Sequence, residues 1–391
     1  MTAHAVTADL GDATVEVRGA VRLEAGARGT IPRRTTVDGW RRLVDAFHRA
    51  SVGQSPGVRL AFRTAARRLV LRVSSMRQAE TVDAEIPPSV YELSNGGRVV
   101  ASALMVDGPR ILVPQGSIGW EIVDGPDSTM EFALPEGERE YELWLPYTDE
   151  VELLDLVADA PVIPPSHGPA VRWIHHGSSI SHGYVAGSTR RTWTAIAAER
   201  AGVELMNLSY SGNALLDVST AQTIRDTPAD LISVKLGVNV VNGDMMRRRI
   251  FASAVHGFLD TIRDGHPDTP LLVVSPIHCG PIENAPGPSV PEPGRDPIWV
   301  VTAGRPEELA TGKLSLTLIR AELRGIVEAR RGWGDAALHY LDGLALYGAD
   351  DDERMPMPDN LHPGDDVNAL IGERFADLAL GRGGPLAPGL A

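Results

Sequence analysis

The sequence predicts a two-domain protein, an all-β sandwich of jelly-roll-like form followed by a doubly wound α/β sheet. Three observations carry that prediction. At 391 residues the chain exceeds one ordinary domain. Short apolar-alternating runs separated by turn residues fill roughly its first 160 residues, the texture of a β-sandwich. Beyond a proline-rich stretch, apolar runs alternate with helical patterns, the texture of a parallel sheet covered by helices.

In the first part, the strand-like runs are Ala13–Leu23, Val58–Phe62, Leu69–Val73, Val99–Val106, Glu121–Ile122, Met130–Leu134 and Tyr141–Leu145. Asn95-Gly96-Gly97, Asp107-Gly108-Pro109, Asp124-Gly125-Pro126 and Pro135-Glu136-Gly137 supply turns between them. One segment breaks the pattern. In Val37–Ala50, Trp40, Leu43, Val44 and Phe47 recur at helical spacing, which predicts a helix. The stretch from Ala160 to Pro169, rich in proline, favours extended backbone and marks the boundary, with domains over 1–165 and 170–391.

In the second part, Val171–Ile174, Val203–Leu208, Leu231–Leu236, Leu271–Val274 and Leu338–Leu341 read as five buried parallel strands. Helical patterns fall at Thr192–Ala201, Leu216–Arg225, Met245–Arg263, Glu307–Arg330 and Asp365–Leu380. Cys279–Val301 carries six prolines between Pro281 and Pro297 and reads as a long irregular loop, either a binding loop or lid or a simply disordered segment.

Composition narrows the function classes. With 43% hydrophobic and 23% charged residues the chain can bury a sizeable core. The formal charge of −14 disfavours nucleic acid and anionic membrane surfaces as partners. Lys235 and Lys313 are the only lysines, so basic character rests on arginine. A single cysteine, Cys279, excludes an intramolecular disulfide and argues against a thiolate metal site. No basic-then-apolar leader pattern opens the sequence, and no apolar run reaches the roughly 18 residues a membrane span needs, so a cytoplasmic protein is expected.

Four short segments fall just beyond predicted strands, where ligands bind in doubly wound sheets. They are Gly177-Ser178-Ser179-Ile180-Ser181, Asn207 to Asn213, Gly237-Val238-Asn239, and Asp359-Asn360-Leu361-His362-Pro363. Their residue types suit acyl transfer. A serine hydroxyl needs an imidazole to accept its proton, and the imidazole needs a carboxylate to orient it and to stabilise its charged form. Asp359 and His362, three residues apart, can supply both to Ser179. Charge developing on the carbonyl oxygen needs fixed donors, for which the Ser179 amide, the Gly212 amide and the Asn239 side chain are candidates.

In these blocks the chain resembles the SGNH (GDSL-type) serine hydrolase superfamily. Its hallmark Ser, Gly, Asn and His correspond to Ser179, Gly212, Asn239 and His362, with Asp359 in the Asp-x-x-His position. The resemblance spans the second domain and implies a flavodoxin-like fold, a catalytic Ser179–His362–Asp359 triad, an oxyanion hole and no cofactor. Two positions depart from it: Gly177-Ser178-Ser179-Ile180 replaces Gly-Asp-Ser-Leu, and Val240 stands where Gly-x-Asn-Asp ends in Asp. A sandwich fused to such a domain is similar to actinobacterial acyltransferases of antibiotic tailoring and to carbohydrate esterases. The implied partners are a small-molecule ester or acyl-CoA-like donor and a hydroxyl acceptor or water, with the oligomeric state left open. The sandwich would position substrate or act as an accessory.

Other residues have plainer readings. His175 and His176 are adjacent in a strand and point to opposite faces, so with His182 they read as packing residues rather than metal ligands. Cys279 beside His278 reads as a buried thiol, Trp193 as core, and Arg247, Arg248 and Arg249 as a solvated helix face. The rival classes are a glycan-binding protein with an inactive SGNH domain and a metal-assisted deacetylase using the histidines near residue 175.

Overall fold

A computed structural model describes residues 6–8, 10, 14–114, 119–166 and 171–388. Ala13 of the first predicted run and residues 167–169 of the proline-rich stretch lie outside the described residues. The chain divides into two compact units, one of residues 1–170 with 187–190 and one of 171–186 with 191–391.

The first unit is a β-sandwich. Among the described residues its strands form two mainly antiparallel sheets, one built around Arg68–Ala79 and Asp149–Ala158, the other around Arg59–Thr64 and Arg139–Trp144. Alternation drives the arrangement: along Arg68–Ala79, Leu69, Leu71 and Val73 are buried while their neighbours are more exposed. They share a core with Leu60, Phe62, Tyr141 and Leu143 of the other sheet. Asp149–Ala158 alternates in the same way, and a bulge between Leu153 and Asp155 lets Leu156 face inward again. Ser188 and Thr189, which group with this unit, donate hydrogen bonds to Glu92 and to the Leu145 carbonyl, each at 2.6 Å.

Several elements differ from the sequence reading. Strands Thr30–Arg33, Ser89–Asn95, Arg110–Leu112 and Asp149–Ala158 are additional, and Ala13–Leu23 is interrupted by a turn at Gly19, with strands at Glu16–Arg18 and Arg22–Ala25. The expected helix over Val37–Ala50 is two helices, Val37–Arg41 and Ala46–Gly53. Thr36 caps the first, accepting from the Gly39 amide at 3.0 Å, and Asp45 starts the second, accepting from His48 at 2.8 Å. Val44 at 76% exposure shows that the apparent apolar stripe was never one buried face.

The second unit is the predicted flavodoxin-like sheet. Its strands β1 (Arg172–His176), β2 (Glu204–Asn207), β3 (Leu231–Lys235), β4 (Leu271–Val274) and β5 (Leu338–Leu341) are all parallel in the order 2-1-3-4-5. Helices cover both faces, and the paired histidines report it. His175 packs edge-on to Trp193 at 4.8 Å between ring centres, beside Phe375 stacked on Trp173 at 5.2 Å. On the other face, His176 meets Phe258 of the helix Arg248–Gly265 at 5.7 Å.

One predicted helix is shorter than its periodicity suggested, and another keeps its predicted span but changes its winding. Glu307–Arg330 breaks at Gly312, whose φ is +86°, and restarts at Leu316 with Ser315 accepting from the Leu318 amide. The last helix is regular over Asp365–Phe375 and continues as a wider turn over Ala376–Leu380. The loop expected over Cys279–Val301 is ordered around a two-stranded ribbon, Ser289–Pro291 against Val300–Thr302. No helix among the described residues is long and apolar enough to cross a membrane.

Candidate functional site

The strands of the second unit deliver the four sequence blocks to one end of the sheet, because every βα connection of a parallel sheet leaves from the carboxyl end of its strand. Backbone hydrogen bonds lace the blocks together. The Leu208 amide donates to the His175 carbonyl at 2.7 Å, the Tyr210 amide to Gly177 at 2.9 Å, and the Ala214 amide to Asn239 Oδ1 at 3.0 Å.

Ser179 opens a short helix, Ser179–His182, directly after β1. Gly177 permits that tight turn, since a Cβ there would stand 2.6 Å from Ser181 Oγ. Ser179 Oγ lies 2.9 Å from His362 Nε2, and His362 Nδ1 lies 2.6 Å from Asp359 Oδ2. A carboxylate only accepts, so Nδ1 carries the hydrogen and Nε2 is left to accept from the serine hydroxyl. The other carboxylate oxygen accepts from the amides of Leu361 at 3.0 Å and His362 at 2.7 Å. Burial alone would raise the Asp359 pKa. The His362 hydrogen bond and charge, with these two amides, outweigh it and hold the carboxyl below its usual range.

The ribbon segment supports this loop from behind. Val300 donates to the Asp359 carbonyl and accepts from Asn360 Nδ2, both at 2.8 Å, and Asn360 takes the left-handed φ of +68° that asparagine tolerates. Cys279 Sγ lies 3.5 Å from the Asn360 carbonyl oxygen, and burial pushes its thiol up to about 12. The thiol is therefore an un-ionised packing group at neutral pH.

Two other blocks supply polar hydrogens. Gly212 has a φ of +70°, and neither its amide nor that of Ser179 donates to an acceptor among the described residues. Asn239, 5% exposed in the short helix after β3, is oriented by the Ala214 amide on its Oδ1, which leaves its Nδ2 hydrogens uncommitted among the described residues. Uncommitted N–H groups are the kind of donor that negative charge developing on an oxygen needs.

The three histidines near β1 have protein partners. His175 Nδ1 meets Ser233 Oγ at 2.7 Å, His176 Nδ1 the Leu208 carbonyl at 2.8 Å, and His182 Nδ1 the Ser209 carbonyl at 3.0 Å. Burial drives the His175 pKa well below its ordinary value, so its ring is neutral. Among the described residues no group of three or more His, Cys, Asp or Glu side chains is placed to hold a metal ion. Arg247, Arg248 and Arg249 are exposed, with Arg247 paired to Asp244 and Arg248 to Glu322.

Two residues near the site were given no role by the sequence reading. Tyr184 packs its ring on His362, centroid to centroid 4.6 Å, and nothing in a lone aromatic after a short helix signals that. Lys235, at the end of β3, is 2% exposed and has no hydrogen-bond partner for Nζ among the described residues. Burial lowers its pKa to about 8. A lysine ending an apolar strand was its visible signal.

Residues 171–281 match the GDSL-like lipase/acylhydrolase family. Among solved structures, a salicylyl-acyltransferase, SsfX3, from a tetracycline biosynthetic pathway is 25% identical, with a TM-score of 0.75 and 96% of each chain covered. A family two carbohydrate esterase from Clostridium thermocellum, solved with cellohexaose, is 12% identical with a TM-score of 0.61, covering 93% of this chain and 97% of its own. One from Cellvibrio japonicus is 15% identical with a TM-score of 0.58, covering 95% and 96%. At these identities the two esterases bear on the fold alone. No curated protein matches the chain by sequence. The resemblance to SGNH/GDSL-type hydrolases in their two-domain form, read from the motifs, therefore stands, as does the fold class.

Proposed function

We propose that this chain is a serine-dependent acyl-transfer enzyme that works through a Ser179 acyl-enzyme, with residues 170–391 catalytic and residues 1–165 accessory. The observation that carries the reading is the unbroken hydrogen-bonded line from Ser179 Oγ through His362 to Asp359. As the Ser179 oxygen attacks an ester or thioester carbonyl carbon, its proton passes to His362 Nε2, and Asp359, held ionised, stabilises the imidazolium. The carbonyl oxygen becomes an oxyanion facing the Ser179 and Gly212 amides and Asn239 Nδ2. Collapse breaks the bond to the leaving group, which takes the proton from Nε2. A hydroxyl acceptor or water then gives its proton to Nε2 and attacks the acyl carbon; the bond from Ser179 Oγ to the acyl carbon breaks, and Oγ takes the proton back from Nε2.

The likeness over 96% of each chain to an acyltransferase of a tetracycline biosynthetic pathway favours an acceptor hydroxyl over water. We therefore assign the chain to O-acyl transfer in secondary metabolism, with the acyl donor a small molecule. No residue of the site calls for a cofactor, and exhaustive chelation is expected to leave its rate unchanged.

Intact-protein mass after brief mixing with an activated short-chain ester tests the reading. The expected result is an adduct on Ser179 that persists in water and discharges when an acceptor alcohol is added. Rapid turnover in water alone would make the protein an esterase, and acetylated sugars the substrates to screen. Absence of both adduct and turnover across ester and thioester donors would favour a binding protein. A second prediction concerns the oxyanion. Asn239→Ala is expected to lower kcat by about 10²–10³-fold, the usual effect of removing one such donor, with a smaller change in KM. An unchanged kcat would remove Asn239 from the oxyanion hole.

A further inference from the structure

One side chain outside the four blocks is placed to choose what the serine chemistry acts upon. Tyr184 sits two residues beyond the helix that begins at Ser179, with its ring on His362 at 4.6 Å and tilted by 59°. The position is tied to the nucleophile, because the amides of Gly183 and Tyr184 both donate to the Ser179 carbonyl, at 2.9 and 3.0 Å. Unlike Ser179 at 7% exposure, the Tyr184 residue is half exposed. Tyr210, the neighbouring aromatic, is by contrast buried against His176.

The backbone around Tyr184 is held in an unfavourable form. Gly183 precedes it with a φ of +114°, and Val185 follows with a φ of +74°, a left-handed conformation that a β-branched residue rarely adopts. Such a conformation persists only where its surroundings over-determine it, and it is characteristic of sites where a geometry is used. Val185 is itself 40% exposed, so burial of its side chain does not account for the conformation.

Chemistry decides which part of a substrate meets this ring. The oxyanion donors take the carbonyl oxygen of the acyl group, whereas His362 Nε2 hands its proton to the leaving oxygen or takes one from the attacking hydroxyl. A side chain packed on the His362 ring therefore borders the alcohol, not the acyl chain. We propose that Tyr184 is the residue that selects the alcohol moiety, and that its exposed surface favours alcohols carrying a planar ring over flexible alkyl alcohols. The inference rests on the serine reading above. Offset or edge-to-face packing of rings supplies the preference, of roughly three- to tenfold.

The test compares benzyl and heptyl esters of the acyl group that forms the Ser179 adduct, which match in carbon number and in their primary oxygen. The wild-type ratio of kcat/KM, benzyl over heptyl, is expected to exceed one. In Tyr184→Leu that ratio should fall roughly three- to tenfold, while Tyr184→Phe keeps it, since the phenol oxygen is not needed for packing. A side chain that merely props the imidazole would slow both esters alike and leave the ratio intact, and that outcome overturns the proposal. So does a wild-type enzyme without preference. Should Tyr184→Leu fail to fold, Tyr184→Trp takes its place, with a raised ratio expected and an unchanged one overturning the assignment. Failure of the serine reading itself looks different, as no adduct on Ser179 with any ester, and it removes this proposal with it.

Discussion

Replacing Ser179 with alanine is expected to reduce kcat on the order of a millionfold, the scale seen when a serine nucleophile is removed from an assembled triad. Ser179 Oγ makes its hydrogen bond to His362 Nε2, and no other side chain among the described residues bonds that nitrogen. The lost hydroxyl therefore has no substitute. The same variant should melt close to the wild type, because one part-buried hydrogen bond contributes only about 1 kcal/mol. Steady-state turnover and thermal melting on one preparation separate the two effects. Turnover above one per cent of wild type in a correctly folded variant would sink the assignment of Ser179.

Asp359→Asn should be the next most damaging change, costing about 10⁴-fold in kcat near neutral pH. Asp359 accepts from His362 Nδ1 at 2.6 Å, and an asparagine that turns its amide nitrogen toward the ring favours the tautomer in which Nε2 is no longer an acceptor. A fall smaller than tenfold would show that the carboxylate does not act on the imidazole.

The same residue links activity to acid stability. Asp359 is depressed in the folded protein, so its contribution to stability is fully present above the unfolded carboxylate value of about 3.9 and is lost as pH falls through the lower, folded one. Wild type should therefore lose stability more steeply below about pH 4 than Asp359→Asn does. Denaturant unfolding at several pH values reads that difference in slope, and parallel curves would contradict it.

Both variants probe residues that were visible in the linear sequence, and the reason is chemical economy. Acyl transfer needs few residue types, and a parallel sheet offers few places to put them. Once the five apolar runs were read as strands, Ser179, Gly212, Asn239 and His362 all fell beyond carboxyl ends. The structure brings Ser179, His362 and Asp359 into hydrogen-bond contact and ties Asn239 to Ala214, two residues past Gly212.

Other features were legible only in part. Thr36, Asp45 and Ser315 are cap residues, and weighting them over apolar spacing would have divided two over-long helices correctly. Asp149–Ala158 alternates acidic and apolar residues as an open strand does, but a bulge after Leu153 breaks the strict period of two. The prolines of residues 281–297 concealed a ribbon, because its pairing is short and one of its strands ends on Pro291.

By itself, then, the sequence determined the fold class and the residues from which the candidate chemistry is drawn, since both follow from local periodicity and from side-chain type. Tertiary structure decided what surrounds them. Only the folded chain places Val300 against Asp359, sets the Asn239 amide by a bond from Ala214, and lays Tyr184 on His362. Val300 and Asp359 lie 59 positions apart, and Tyr184 and His362 lie 178 apart. Contacts over such separations are set by how the sheet and its loops close in space, and no local pattern in the chain encodes them.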